Sequence, residues 1–273
     1  MTGRPLPDLA DRTVVVAGNG CSVEAIPDGV LLADDFVIRT NNFFFERRFH
    51  LGRRVDLALM GGDPRVAPFM FETLYRCRAD YDIRAITSVN SRVAKAGQRR
   101  FAPQFCDFPW RDEALSASVR AIEEQYARKA MTGTYAVLAA YGLGAKSIIL
   151  AGFDLYSGPV RYPYPMGPHQ RALMEPVINP QGLDADQHDR DLDFSVLKLL
   201  LARGDVTINC ATNQIAWGDL LPSAKPRPGV SLIALPKDSE PTDWASNVGL
   251  YPIHMLRFFR WARRLMRRRT SAL

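Results

Sequence analysis

Val14-Val15-Val16-Ala17-Gly18-Asn19-Gly20-Cys21-Ser22 runs from a β-branched strand candidate straight into a glycine-rich turn. Three β-branched residues in a row fit a strand buried on both faces, as in a parallel sheet, rather than one with a wet side. Gly-Asn-Gly then lets the backbone turn sharply and leaves room for a ligand to approach it. A nucleotide site at the end of the first strand follows. It is not the dinucleotide fingerprint, because Val23 stands where the third glycine of G-x-G-x-x-G belongs. The next strand candidate, Phe36-Val37-Ile38-Arg39, ends in Thr40-Asn41-Asn42, an amide where an acid would hold a ribose hydroxyl. A nicotinamide cofactor is therefore not expected.

Outward from this stretch, strands and helices alternate. Strands are predicted over 55–60, 84–89, 147–152 and 206–210, and helices over 68–78, 112–129, 133–143 (with Thr132 as its cap) and 191–202. The alternation predicts an α/β fold with a doubly wound, mostly parallel Rossmann-like sheet, and such sheets bind ligands beyond the C-terminal ends of their strands. Gly18 and Asn19, Asn41, and Asp154 with Tyr156 all fall at such ends. Residues 157–187 interrupt the rhythm with six prolines, Tyr162 and Tyr164, and read as a lid insertion spanning about 155–190. A second proline-rich run makes 221–250 a linker, which divides the chain into a catalytic domain over 1–220, that linker, and a C-terminal segment over 251–273.

The apolar fraction of 47% supplies a full core. Cys21, Cys77, Cys106 and Cys210 lack metal-ligand spacing, and no apolar signal region precedes the first strand; both features predict a cytoplasmic protein with reduced thiols. The formal charge of +6 is local: residues 251–273 hold seven arginines and no acids, so removing them leaves a body at −1. A nucleic-acid partner is not expected, because nothing upstream forms a cationic face. If 253–269 is helical, Met255, Phe258, Phe259, Ala262, Leu265 and Met266 share one face. Arg257, Arg260, Arg264, Arg267 and Arg268 share the other. This basic amphipathic helix fits an anionic membrane surface, the alternative being a helix packed on the body with a solvated arginine face. No run reaches the ~18 apolar residues of a spanning helix, so a peripheral position on the inner membrane face is expected.

The motifs carry a resemblance. Ala17-Gly18-Asn19-Gly20-x-Ser22, Arg39-x-Asn41-x-Phe43-x-Phe45-Glu46 with Leu51-Gly52, Thr132-Gly133-x-Tyr135 and Gly152-x-Asp154-x-Tyr156 keep the order and spacing of the bacterial sialyltransferases of glycosyltransferase family 42 over about residues 12–220. The resemblance implies an inverting enzyme that moves sialic acid from CMP-sialic acid to a sugar hydroxyl of a surface glycan such as lipooligosaccharide, and a tetramer. It also implies roles. His188 matches the general base, a group whose ordinary pKa of roughly 6.5 suits that task, and Tyr156 and Tyr162 match two phosphate-facing tyrosines.

The same resemblance assigns substrate-binding positions to Gly18, Asn19, Gly20, Ser22, Asn41, Thr132, Gly133, Gly152 and Asp154. Three positions depart from the pattern: Lys129 replaces an arginine near the acceptor, with Arg128 beside it; Thr132 replaces a serine; and Gly61 replaces a second sugar-binding asparagine. The last leaves another CMP-linked sugar, Kdo or a different nonulosonic acid, as an alternative donor. CMP-sialic acid has one phosphate, so no metal is expected to bridge a diphosphate. Asp184-Ala185-Asp186 has the DxD form of metal-dependent transferases, but with Asp189, Asp191 and Asp193 it reads as an acidic helix entrance. A methyltransferase or reductase, and a catalytically inactive membrane-associated nucleotide-binding protein, are the competing classes. The missing glycine and acid argue against the former, and the joint presence of His188, Tyr156 and Tyr162 against the latter.

Overall fold

The computed structural model describes residues 6–64, 66–155, 160, 162–167, 170, 189–213, 215–243, 254–255, 258–259 and 261–262. In chain order its elements are β1 (Thr13–Ala17), β2 (Phe36–Thr40), β3 (Arg48–Phe49), β4 (Arg54–Val55), β5 (Leu57–Leu59), α1 (Ala67–Arg76), β6 (Asp82–Ile83), β7 (Ile86–Thr87), α2 (Ser91–Phe101), α3 (Glu113–Gln125), α4 (Thr132–Gly142), β8 (Ser147–Ala151), α5 (Arg190–Leu201), β9 (Thr207–Cys210) and β10 (Leu235–Pro236).

The three valines lie at the centre of a six-stranded sheet of order β7-β5-β2-β1-β8-β9, every neighbouring pair of which is parallel. Val14 sits opposite Phe36 on one side and Ile148 on the other. Alternation along β1 sends Val14 and Val16 to a core shared with α3, α4 and α5, and Val15 and Ala17 to the opposite face. Both faces are covered, which is why the strand reads as an unbroken apolar run. The chain moves outward through β2, β5 and β7, then returns to set β8 on the other side of β1. That reversal is the topological switch point, and the crevice in which such sheets bind ligands lies beyond the C-terminal ends of the strands there, β1 and β8.

The 84–89 strand is narrower than its sequence implies. Asp82 and Ile83 pair with β4, leaving only Ile86 and Thr87 to pair with β5. Thr132 is not a cap: Met131 holds the cap position and Thr132 is the first helical residue. The proline-rich run from 221 is laid against the body. Leu232 donates its N–H to Leu31 O, Arg227 pairs with Asp35 at 2.5 Å, and β10 pairs antiparallel with β3. Ala224 and Leu232 pack on the core behind Val15 and Ala17. Residues 244–250 of the expected linker lie outside the described residues.

Candidate active site

The turn after β1 and the turn after β8 are bonded to each other. Gly18 N–H donates to Ala151 O and Gly20 N–H to Gly152 O, each at 2.8 Å. The backbones approach so closely that a Cβ on Gly18 would lie 2.5 Å from Gly152 O, and Gly152 itself has φ +65°. Only glycine meets both demands. Asp154 completes the closure: one carboxylate oxygen accepts the Ser22 N–H at 3.0 Å and the other accepts the Ser22 hydroxyl. Gly18, Asn19, Gly20, Ser22, Gly152 and Asp154 are thereby one structure. Cys21, inside it, donates its thiol to Val160 O at 3.5 Å, and burial, then the Asp154 charge, push its pKa up.

From this turn, polar groups run along the C-terminal edge toward β5. The Asn19 side-chain amide donates to Thr40 O at 2.9 Å. Asn41, in the left-handed region at φ +46°, a conformation asparagine tolerates better than most residues, accepts the Gly61 N–H at 2.8 Å and donates to the Thr132 hydroxyl at 3.1 Å. Three strand ends and the start of α4 are thus connected. Gly133 backs onto the Phe153 ring.

The segment 128–134 is held by two buried carboxylates absent from the sequence-level site. Glu123 of α3 is 2% exposed and accepts the Ala130 N–H at 3.0 Å, the Lys129 ammonium at 2.5 Å and the Tyr135 hydroxyl. Asp193 of α5 is fully buried and accepts the Met131 N–H at 2.9 Å and the Thr134 hydroxyl at 2.6 Å. Burial raises the Asp193 carboxyl to about 7, against its two hydrogen bonds. A signal for both existed: each acid falls in the apolar stripe of its helix, Glu123 with Leu115 and Val119, Asp193 with Leu192, Val196, Leu197 and Leu200. Lys129 therefore turns to α3, while Arg128 pairs with Asp189 at 3.3 Å, at the entrance of α5. Asp189 caps that helix by accepting the Asp191 and Leu192 N–H groups.

Tyr162 stacks on Tyr164 with ring centroids 5.1 Å apart and planes 1° from parallel, and Tyr164 is buried beside Phe45. Tyr156, His188 and the Asp184–Asp186 pair lie outside the described residues. His50 is 4.0 Å from Glu24, and burial lowers its pKa. Among the described residues, no three of His, Cys, Asp or Glu are grouped to hold a metal ion, and no helix is long and apolar enough to cross a membrane.

A glycine turn facing a Gly-x-Asp strand end across the switch point of a parallel sheet, without the dinucleotide fingerprint, is the arrangement of a Rossmann-like glycosyltransferase. The sequence model of the family described as CST-I, alpha-2,3-sialyltransferase, matches residues 12–218, and the protein belongs to that family. The monofunctional alpha-2,3-sialyltransferase Cst-I from Campylobacter jejuni is similar in structure, with a TM-score of 0.74 at 19% identity over 100% of both chains. So is CstII from Campylobacter jejuni in complex with the substrate analogue CMP-3FNeuAc, with a TM-score of 0.72 at 20% identity over 87% of this chain and 96% of that one. A sialyltransferase CST-II structure with trisaccharide acceptor and CMP gives 0.69 at 20% identity, over 87% and 96%. At these identities the likeness speaks for the fold. No curated protein sequence matches the chain.

Proposed function

We propose that the protein transfers sialic acid from CMP-sialic acid to a hydroxyl group, on terminal galactose or sialic acid, of a bacterial surface glycan such as lipooligosaccharide, with inversion and without a metal. The observation that carries this reading is the joined pair of turns, Gly18–Asn19–Gly20 with Gly152 and Asp154, at the switch point of a sheet in a sialyltransferase family. Two similar structures hold CMP or a CMP-sugar analogue, and one also an acceptor trisaccharide.

In this reading the nucleotide lies over the glycine turn and the sugar reaches toward Asn41, Thr132 and Gly133. The acceptor oxygen attacks the anomeric carbon from the face opposite the phosphate; its proton passes to His188 as the bond to the CMP oxygen breaks. Tyr156 and Tyr162 donate hydrogen bonds to the phosphate as charge develops on it, a task for preorganised donors that a single phosphate allows without a bridging ion. Arg128 and Lys129 flank the acceptor side. Residues 1–220 form the catalytic domain, with the insertion over about 155–190 as its lid.

The C-terminal 251–273 helix lies on an anionic membrane surface. Phe258 and Trp261 are more than half exposed and their rings meet at 5.7 Å, an apolar pair in an arginine-rich stretch of sequence that supports this role. Gly61 favours a second reading of the donor alone, another CMP-linked sugar such as Kdo.

CMP release from CMP-sialic acid and CMP-Kdo, with and without a terminal galactoside and in EDTA, tests the proposal. Acceptor-dependent release from CMP-sialic acid that survives EDTA and falls at least a hundredfold in His188→Ala is expected, the scale typical of a lost general base. Release from CMP-Kdo alone favours the second reading; release from neither donor contradicts both and leaves an inactive binding protein.

A further inference from the structure

Gly61 follows β5 at the crevice edge, and its backbone does not call for glycine: Gly62 next to it has φ +92°, whereas Gly61 is not in the left-handed region. What excludes a side chain at 61 is one neighbour. A Cβ built there would meet Thr132 Oγ1 well inside contact distance and Thr132 Cγ2 at 3.0 Å. Both γ atoms of the threonine flank the position, so turning χ1 exchanges one obstruction for another, and a β-branched side chain has few rotamers to choose from. The threonine is in turn held in place. Asn41 donates to its hydroxyl at 3.1 Å and accepts the Gly61 N–H at 2.8 Å, closing a triangle of Gly61, Asn41 and Thr132. The hydroxyl's lone pair is engaged by Asn41, and no described residue accepts its proton.

We propose that Gly61 and Thr132 are one specificity element: the Thr132 side chain occupies the wall that residue 61 would otherwise supply, and its shape sets which nucleotide-linked sugar acid the crevice accepts. This rests on the CMP-sugar reading above. The hydroxyl, oriented by Asn41, offers its proton to an oxygen of the sugar. The methyl fixes how far the sugar can move toward β5.

The test is a double-variant cycle of Gly61→Ala, Thr132→Ala and the two combined. Rates of CMP release are read with CMP-sialic acid and CMP-Kdo as alternative donors. Gly61→Ala is expected to lose about tenfold or more in kcat/KM on the preferred donor, the scale of one misplaced methyl group in a pocket. The combined variant is expected to lose less than the product of the two single losses, because Thr132→Ala frees the space that the new methyl needs. Thr132→Ala is expected to change the ratio of kcat/KM between the donors by about fivefold or more, within the range of a single pocket group. Wild-type rates in Gly61→Ala, losses that simply multiply, or a donor ratio unchanged in every variant each overturn the inference while the wild-type activity leaves the CMP-sugar reading standing. Absence of CMP release from the wild type overturns both. Should Gly61→Ala not fold, the donor ratio of Thr132→Ala, which only removes atoms, decides alone.

Discussion

Both oxygens of the Asp154 carboxylate are turned to Ser22, one to its N–H and one to its hydroxyl, joining the ends of two neighbouring strands that are far apart in sequence. Hydrogen bonds to a charged acceptor contribute about 1.5–3 kcal/mol each. Asp154→Ala therefore frees Ser22, at the far end of the glycine turn, while Gly18 and Gly20 keep their backbone bonds to Ala151 and Gly152. The donor KM should rise about tenfold, the equivalent of roughly 1.4 kcal/mol, measured by CMP release; an unchanged KM would mean that the turn holds its shape without the carboxylate. The residue scale was partly legible. Gly18, Asn19, Gly20, Asn41 and Asp154 stand out because each follows an apolar strand run directly, at the sheet edge where parallel sheets bind ligands. The dependence of Gly61 on Thr132 did not stand out, since a contact between residues on separate elements leaves no mark in local spacing.

At the scale of elements, the 128–134 segment owes its position to α3 and α5 rather than to its own sequence. Thr132 looks like a cap for α4, yet its hydroxyl is taken by Asn41 while Asp193 takes the Met131 N–H at the cap position. Two acids in apolar stripes were visible in the sequence, but periodicity alone does not say what they face. Helix α2 was not anticipated: its run SRVAKAGQRRF is mostly polar and buries only Val93, Ala96, Gly97 and Phe101.

The raised Asp193 pKa has a definite consequence for stability. The unfolded chain titrates near 3.8 and the folded one near 7. Between those values the folded protein keeps a proton that the unfolded one releases, so this group's contribution declines as pH rises from about 4 to about 7 and is constant above. Asp189 and Glu123, the acidic neighbours, push in the same direction. Asp193→Asn keeps an acceptor for Met131 and Thr134 but carries no charge. Its melting temperature relative to the wild type should climb between pH 5 and pH 8; a difference independent of pH would show that Asp193 is not titrating in that window.

Over the whole molecule, the parallel sheet was legible because strands buried on both faces advertise themselves as short β-branched runs, β1 and β8 above all. The cover of the second face was not. Residues 224–237, within the run read from the sequence as a linker, lie over the sheet, fixed by Arg227 to Asp35 and by the Lys237 ammonium to Phe44 O at 2.8 Å. Prolines that read as a linker instead shape this strap. It continues to Asp243, which accepts the Gln170 N–H at 2.8 Å and so ties the strap to the insertion. The positive charge beyond it is separate from the nearly neutral body. Removing residues 251–273 should abolish sedimentation with anionic liposomes while activity on a soluble acceptor stays within about twofold, because every residue proposed for the site lies upstream. Equal liposome binding by the shortened chain would place the membrane contact elsewhere.

In the proposed function the CMP moiety lies beyond the C-terminal ends of β1 and β8. Calorimetric titration of CMP into the wild type and into Gly20→Val tests it most directly, since a Cβ at position 20 would lie 2.5 Å from the Asp154 carboxylate and force the turn open. Saturable binding at one site is expected in the wild type and its loss in the variant, with the cooperative thermal unfolding of a folded protein retained. CMP bound with equal affinity by the variant would contradict it.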